Sequence, residues 1–102
     1  MNRLIEENRR ELELICRRHK VQRIELFGSA TGSTFDPASS DLDFLVTFDD
    51  LRVSNYADTY FGLLEDLQRL FQLDVDLVIE SSIRNPYFRQ SIDATRTLVY
   101  AA

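Results

Sequence analysis

The sequence predicts a small α+β domain, a mixed β-sheet of three to four strands with helices packed on one side. Three observations predict it. Apolar residues recur at helical offsets in two stretches and alternate with a two-residue period in three others. Turn-forming residues (Gly28-Ser29, the polar run 30–40, Asn85-Pro86) punctuate those stretches. A chain of 102 residues has room for about one small domain, 1–102, and for no second independent core.

In chain order, residues 2–19 read as an amphipathic helix, with Leu4, Ile5, Leu12, Ile15 and Cys16 at three- and four-residue offsets. Val21 to Phe27 alternates Val21, Arg23, Glu25 and Phe27 against Gln22, Ile24 and Leu26, a strand that ends at Gly28-Ser29. Ala30 to Ser40 is rich in Ser and Thr and holds Gly32 and Pro37, so it reads as a loop, or a helical turn followed by one. Asp41 to Phe48 is the second strand, with Leu42, Phe44, Val46 and Phe48 on one face and Asp41, Asp43, Leu45 and Thr47 on the other. Ser54 is the expected N-cap of a helix over 55–71, whose stripe is Tyr56, Tyr60, Leu63, Leu64, Leu67, Leu70 and Phe71. Asp74 to Glu80 is the third strand, with Val75, Leu77 and Ile79 opposite Asp74, Asp76 and Val78. Asn85-Pro86 reads as the N-cap and first residue of a short helix through about Asp93, and 98–100 as a short edge strand. Helices covering one side of such a sheet complete the layers.

Composition excludes several classes. Hydrophobic residues at 44% and charged residues at 28% are ordinary for a globular protein. A net charge of −5 and a pI near 4.7 leave no cationic excess for direct binding to a nucleic acid backbone. The basic residues gather early, from Arg9 and Arg10 to Lys20 and Arg23, and the acids gather later, in 41–50 and 74–80. A single cysteine, Cys16, permits no intrachain disulfide and reads as a buried, inert thiol. No apolar run approaches the ~20 residues that span a bilayer, and Glu6 and Glu7 stand where a signal peptide needs an apolar core. A cytoplasmic protein with no membrane association is expected.

The chemistry lies in spacing. Asp41 and Asp43, two apart on a strand, project from one face roughly 6.5–7 Å apart, close enough for their side chains to converge on one ion. Crowded carboxylates are costly unless a cation neutralises them. Asp76 completes the cluster if its strand is a neighbour. Three carboxylates at a strand edge suit a hard divalent ion, Mg²⁺ by default. With two such ions, one lowers the pKa of an attacking hydroxyl while the other steadies a leaving phosphate. Gly28-Ser29 follows an apolar strand directly; the glycine lets backbone approach a ligand, and the amides after it, with the Ser29 hydroxyl, suit phosphate oxygens. Each element alone is also what a plain turn or a solvated strand entrance looks like. Their order is the informative part.

Phe27-Gly28-Ser29, then Ser40-Asp41-Leu42-Asp43-Phe44-Leu45-Val46, then Val75-Asp76-Leu77-Val78, resembles the minimal nucleotidyltransferase family of the polymerase-β superfold, and the likeness extends to Arg84-Asn85-Pro86-Tyr87 and Val99-Tyr100. The resemblance implies that Gly28 and Ser29 hold the nucleotide's phosphates. It implies that Asp41 and Asp43 ligate metal, and that Asp76 is the third carboxylate, ligating metal and helping to deprotonate the acceptor. The implied reaction moves NMP from an NTP, ATP as the expected donor, to a hydroxyl. Free-standing chains this short resemble the antitoxin partner of a HEPN-type ribonuclease toxin, which implies such a toxin as partner and a tyrosine on it as AMP acceptor. The alternatives are an antitoxin that neutralises by occlusion alone, or a transferase for a small hydroxylated molecule. Two features depart from the family pattern: eleven residues, Ala30 to Ser40, in place of ten, and Ala30-Thr31-Gly32 where an Arg-Gly often follows the serine.

Other residues take structural readings. His19 closes the first helix, where a cation favours the C-terminal dipole. Tyr56 and Tyr60 pack, Arg84 faces solvent, and Asp74, on Asp76's face, is a strand-end acid.

Overall fold

A computed structural model describes residues 2–32 and 41–102. The polar loop reading of 33–40 lies outside the described residues. Four strands, β1 (Val21–Phe27), β2 (Leu42–Phe48), β3 (Val75–Ile79) and β4 (Thr97–Ala101), form one sheet in the order β3-β2-β1-β4. β1 runs antiparallel to β2 and β4, and β2 runs parallel to β3, so the sheet is mixed as expected. The parallel pair needs a crossover, which the helix α3 (Tyr56–Phe71) supplies. The edge strand anticipated at 98–100 is β4, paired to β1.

The long N-terminal helix divides in two, α1 (Arg3–Glu7) and α2 (Arg9–Arg18), at Asn8. The Asn8 side chain donates to the Leu4 carbonyl at 2.9 Å, a local bond that competes with the helix ladder. The break allows Ile5 and Leu12 both to be fully buried. α3 begins one residue later than the sequence suggests: the cap is Asn55, whose side chain accepts from the Asp58 amide at 3.0 Å, and Ser54 stands outside it. The fourth helix, α4 (Pro86–Thr95), begins as expected, with the Asn85 side chain accepting from Tyr87 N–H at 2.8 Å.

One face of the sheet carries the main core. Leu42, Phe44, Val46 and Phe48 of β2, Ile24 and Leu26 of β1, and Val75 and Leu77 of β3 pack against Leu12, Ile15, Leu63, Leu67 and Phe71 of α2 and α3. Val21 joins them because a bulge between Val21 and Arg23 turns it to the helix side, away from the face its alternation gives it. α1, α2 and α3 account for the expected helical layer. α4 lies instead across the opposite face, where Ile92 packs on Phe27 and Leu45. Cys16 is fully buried, and burial pushes its thiol up to about 12. No helix among the described residues is long and apolar enough to cross a membrane.

His19 caps α2 and pairs with Asp66 of α3 at 2.6 Å, against the Gly62 backbone, so it joins two helices behind the sheet. Tyr60 spends its hydroxyl on the Leu77 carbonyl at 2.6 Å, and Tyr56 donates to Asp50 at 2.7 Å while meeting Phe48 edge-on. Both hydroxyls are thus bonded within the fold.

Candidate active site

The face opposite the main core places the predicted residues in rows set by strand register. Phe27 at the end of β1 lies opposite Asp43 of β2, and Asp43 lies opposite Asp76 of β3. Asp43 is therefore flanked by the strand that delivers Gly28 and by the strand that carries Asp76. Neighbouring strands lie about 4.7–4.9 Å apart in the hydrogen-bonding direction. The two carboxylates meet, and Asp43 is pushed up to about 6. Burial raises it first, then a hydrogen bond shared with Asp76 and the charges of Asp76 and Asp41. Asp76 is exposed and Asp43 half-buried.

Gly28 opens a 3-10 turn, Gly28–Thr31, with φ +76°, the left-handed conformation a strand-to-turn reversal needs. A Cβ there would sit 2.5 Å from the Asp43 Oδ2, so the turn packs directly on the carboxylate. The carbonyl of Gly28 accepts from the Thr31 hydroxyl at 2.8 Å, and that of Ala30 from the Asn2 amide at 3.1 Å. The N–H of Ser29 stands in the first positions of the turn, before its i→i+3 bonding begins. Ser29 is exposed. For Gly28→Ala we expect an unfolding free energy lower by about 1–2 kcal/mol, from the left-handed backbone alone. Urea unfolding of the variant checks it.

Asp41 precedes β2 and is exposed, and its charge reaches Asp43. Among the described residues, no three acidic, histidine or cysteine side chains are gathered closely enough to enclose a metal ion. Asp43 and Asp76 are together, with Gly28 against them; Asp41 is at their margin. Asp74 is exposed, and its carbonyl accepts from Leu42 N–H, in keeping with a strand-end acid. A cleft of about 470 Å³ runs from Asp43 and Asp76 around the β3 edge, walled by Phe27, Val78 and Phe88 on one side and Tyr60 and Leu64 on the other.

Below the carboxylate row lies a pair the sequence reading did not single out. Glu25, 3% exposed, accepts two hydrogen bonds from Arg96, at 2.9 and 2.7 Å. That contact, before any other, holds its carboxyl below the usual range. Arg96 also reaches Glu80 at 3.0 Å and Asp93 at 2.8 Å, tying β1, the end of β3 and α4 together. A charged residue in a central strand was the one available signal for Glu25. Arg96 gave none, because its partner is 71 residues away.

The site is thus a pair of carboxylates on adjacent parallel strands of a mixed sheet, abutted by a glycine turn from a third. The chain belongs to the nucleotidyltransferase domain family, whose pattern matches residues 9–99, and it is a nucleotidyltransferase. It is 36% identical over 86 residues to a Methanocaldococcus jannaschii protein described as a candidate protein adenylyltransferase, covering 83% of each chain. Its fold is similar to that of a solved candidate minimal nucleotidyltransferase, with a TM-score of 0.72 and 26% identity over 90% of this chain and 89% of that one. It is also similar in fold to a chain in the solved complex of tri-AMPylated Shewanella oneidensis HEPN toxin with its MNT antitoxin. There the TM-score is 0.65 and the identity 23%, over 96% of this chain and 73% of that one.

Proposed function

We propose that this chain is a Mg²⁺-dependent adenylyltransferase that moves AMP from ATP to a tyrosine hydroxyl of a HEPN-type toxin and so acts as its antitoxin. The observation that carries the reading is the Asp43–Asp76 pair facing the Gly28 turn. The M. jannaschii relative, described by its transfer to protein, and the AMPylated toxin bound to a chain of this fold support an adenylyl donor, a protein acceptor and a toxin partner; the tyrosine rests on the family resemblance.

The donor set fits the ion. Burial and Asp76 raise Asp43, so the pair lacks neutralising charge, and all its donors are hard oxygens. Asp41, Asp43 and Asp76 would hold Mg²⁺, which when bound supplies charge stabilisation at the transferring phosphate. Gly28, with no Cβ in the way, lets the triphosphate approach the turn, and Ser29 orients it through its amide and hydroxyl. The acceptor oxygen attacks the α-phosphorus. A new O–P bond forms as the bond from that phosphorus to the bridging oxygen breaks, and pyrophosphate leaves with the electron pair. The hydroxyl proton passes to Asp76, which is exposed and can return it to solvent.

A second reading is an antitoxin that blocks its partner by occlusion. Positional labelling of ATP tests the enzyme directly. With Mg²⁺ and a HEPN partner, label at the α-phosphate should appear on the partner, and label at the γ-phosphate should leave with pyrophosphate. Transfer of the γ-label would make the chain a kinase, and no transfer of either would favour the occluder.

A further inference from the structure

The hydroxyl of Thr95, in the last turn of α4, accepts the Gly28 N–H at 2.8 Å across 67 residues of sequence. We propose that Thr95 is a positioning residue: it holds the Gly28 turn against Asp43, fixing the separation between the phosphate-binding groups and the metal-ligating carboxylate. This rests on the reading of Gly28-Ser29 as the phosphate turn and of Asp43 as a metal ligand.

Gly28 is where the turn is free to deform. It has no Cβ, its left-handed φ is one of several conformations open to glycine, and its Cα lies on the Asp43 carboxylate. Its N–H is the first of the donors that a helical turn leaves without an internal partner. Thr95 takes up that donor, while Thr31 of the turn itself holds the Gly28 carbonyl. Both polar groups of the one flexible residue are therefore held by threonine hydroxyls.

Thr95 can hold the turn because it is held. Its carbonyl accepts from the Thr97 hydroxyl at 3.0 Å, and the next residue's amide, Arg96 N–H, closes α4 on the Ile92 carbonyl at 2.8 Å. Ile92 is fully buried against Phe27 and Leu45. The Arg96 guanidinium grips Glu25, three residues before Gly28 in the strand that leads into the turn. The end of α4 and the end of β1 are thus one packed unit, and the Thr95 hydroxyl is the group of that unit that reaches the turn. A shift of about 1 Å in a site of this kind can cost on the order of a hundredfold in rate.

The test compares Thr95→Val, which keeps the shape and removes the acceptor, with Thr95→Ser, which keeps the acceptor. For Thr95→Val we expect kcat/KM for ATP to fall roughly 10- to 100-fold and the Mg²⁺ concentration for half-maximal rate to rise. ATP binding by titration should weaken, and Gly28 N–H hydrogen exchange should quicken with the rest of the protection pattern intact. Thr95→Ser should restore most of each quantity. If Thr95→Val does not fold, Thr95→Ala carries the same expectation. Wild-type ATP kinetics, ATP binding and Mg²⁺ dependence in the folded Val or Ala variant would overturn the proposal, and so would a serine variant as impaired as valine. Ser29→Ala and Asp43→Asn run alongside separate the two levels. If both leave ATP binding and transfer intact, the underlying site reading fails. If both impair them while removal of the Thr95 hydroxyl does not, only the positioning role fails.

Discussion

Replacing Asp41 and Asp43 together by Asn is expected to abolish nucleotidyl transfer while leaving a folded protein that still binds its partner. A metal ion held there would supply several kcal/mol of transition-state stabilisation, and each 1.4 kcal/mol is tenfold in rate, so the loss should be on the order of a thousandfold or more. Stability should move the other way. Asp43 is raised to about 6 by burial and by Asp76. In the apo protein its ionisation therefore opposes folding: the folded state holds the proton more tightly than the unfolded chain, and stability falls as pH rises from the ordinary carboxylate range through about 6. Asn removes that cost at neutral pH, so the unfolding midpoint at pH 7 should be equal to wild type or higher. The exchanged groups are few and nearly isosteric, which preserves the contact surface. Loss of toxin protection with retained binding is the expected pairing. Full protection by a transfer-dead variant would make occlusion sufficient.

Arg96→Ala has the largest expected effect on stability, about 3 kcal/mol, because it strands a buried charge. Glu25 would lose two hydrogen bonds and keep only Arg23, at 3.1 Å from a side chain half-exposed to solvent. Glu80 and Asp93 would each lose a partner as well. The pH dependence follows from the sign. Glu25 is depressed in the folded state, so its contribution is present above the unfolded value near 4.5 and is lost as pH falls through the lower folded one. Wild type should therefore lose stability below about pH 4.5 more steeply than Arg96→Ala does. The double variant Glu25→Gln, Arg96→Met should recover part of the loss, since a neutral pair leaves no stranded charge. Urea unfolding across pH checks all three. A single variant within 1 kcal/mol of wild type would show that Arg23 suffices.

What the sequence conveyed divides along physical lines. Strands and helices with strong periodicity, β1, β2, α3 and β3, were legible because one face of each is buried, and burial writes itself as a period. Asn85-Pro86 was legible as a helix start because cap chemistry is local. The break at Asn8 was not, since the apolar stripe runs through it and only the side-chain bond to Leu4 interrupts the ladder. The cap of α3 was misplaced by one residue because Ser54 and Asn55 are both good caps and only geometry chooses between them. In the site, Asp43, Asp76 and Gly28 come together because the parallel register of β2 and β3 and the antiparallel register of β1 and β2 bring them there. Alternation gives the face each acid occupies and leaves the register open. Thr95 and Arg96 were invisible. Their partners, Gly28 and Glu25, are 67 and 71 residues away, and nothing local marks such a pair. The placement of α4 on the carboxylate face was likewise beyond a pattern that marks which residues are apolar but not which side of a sheet receives them.

The most direct measurement is the intact mass of a HEPN partner purified from cells that co-express this chain, compared with the same partner co-expressed with the Asp41→Asn, Asp43→Asn variant. The account predicts adenylyl mass on the partner in the first case, mapped by fragmentation to a tyrosine, and an unmodified partner in the second. A partner that is unmodified yet fully neutralised by the wild-type chain would contradict it, and so would modification that persists when both aspartates are gone.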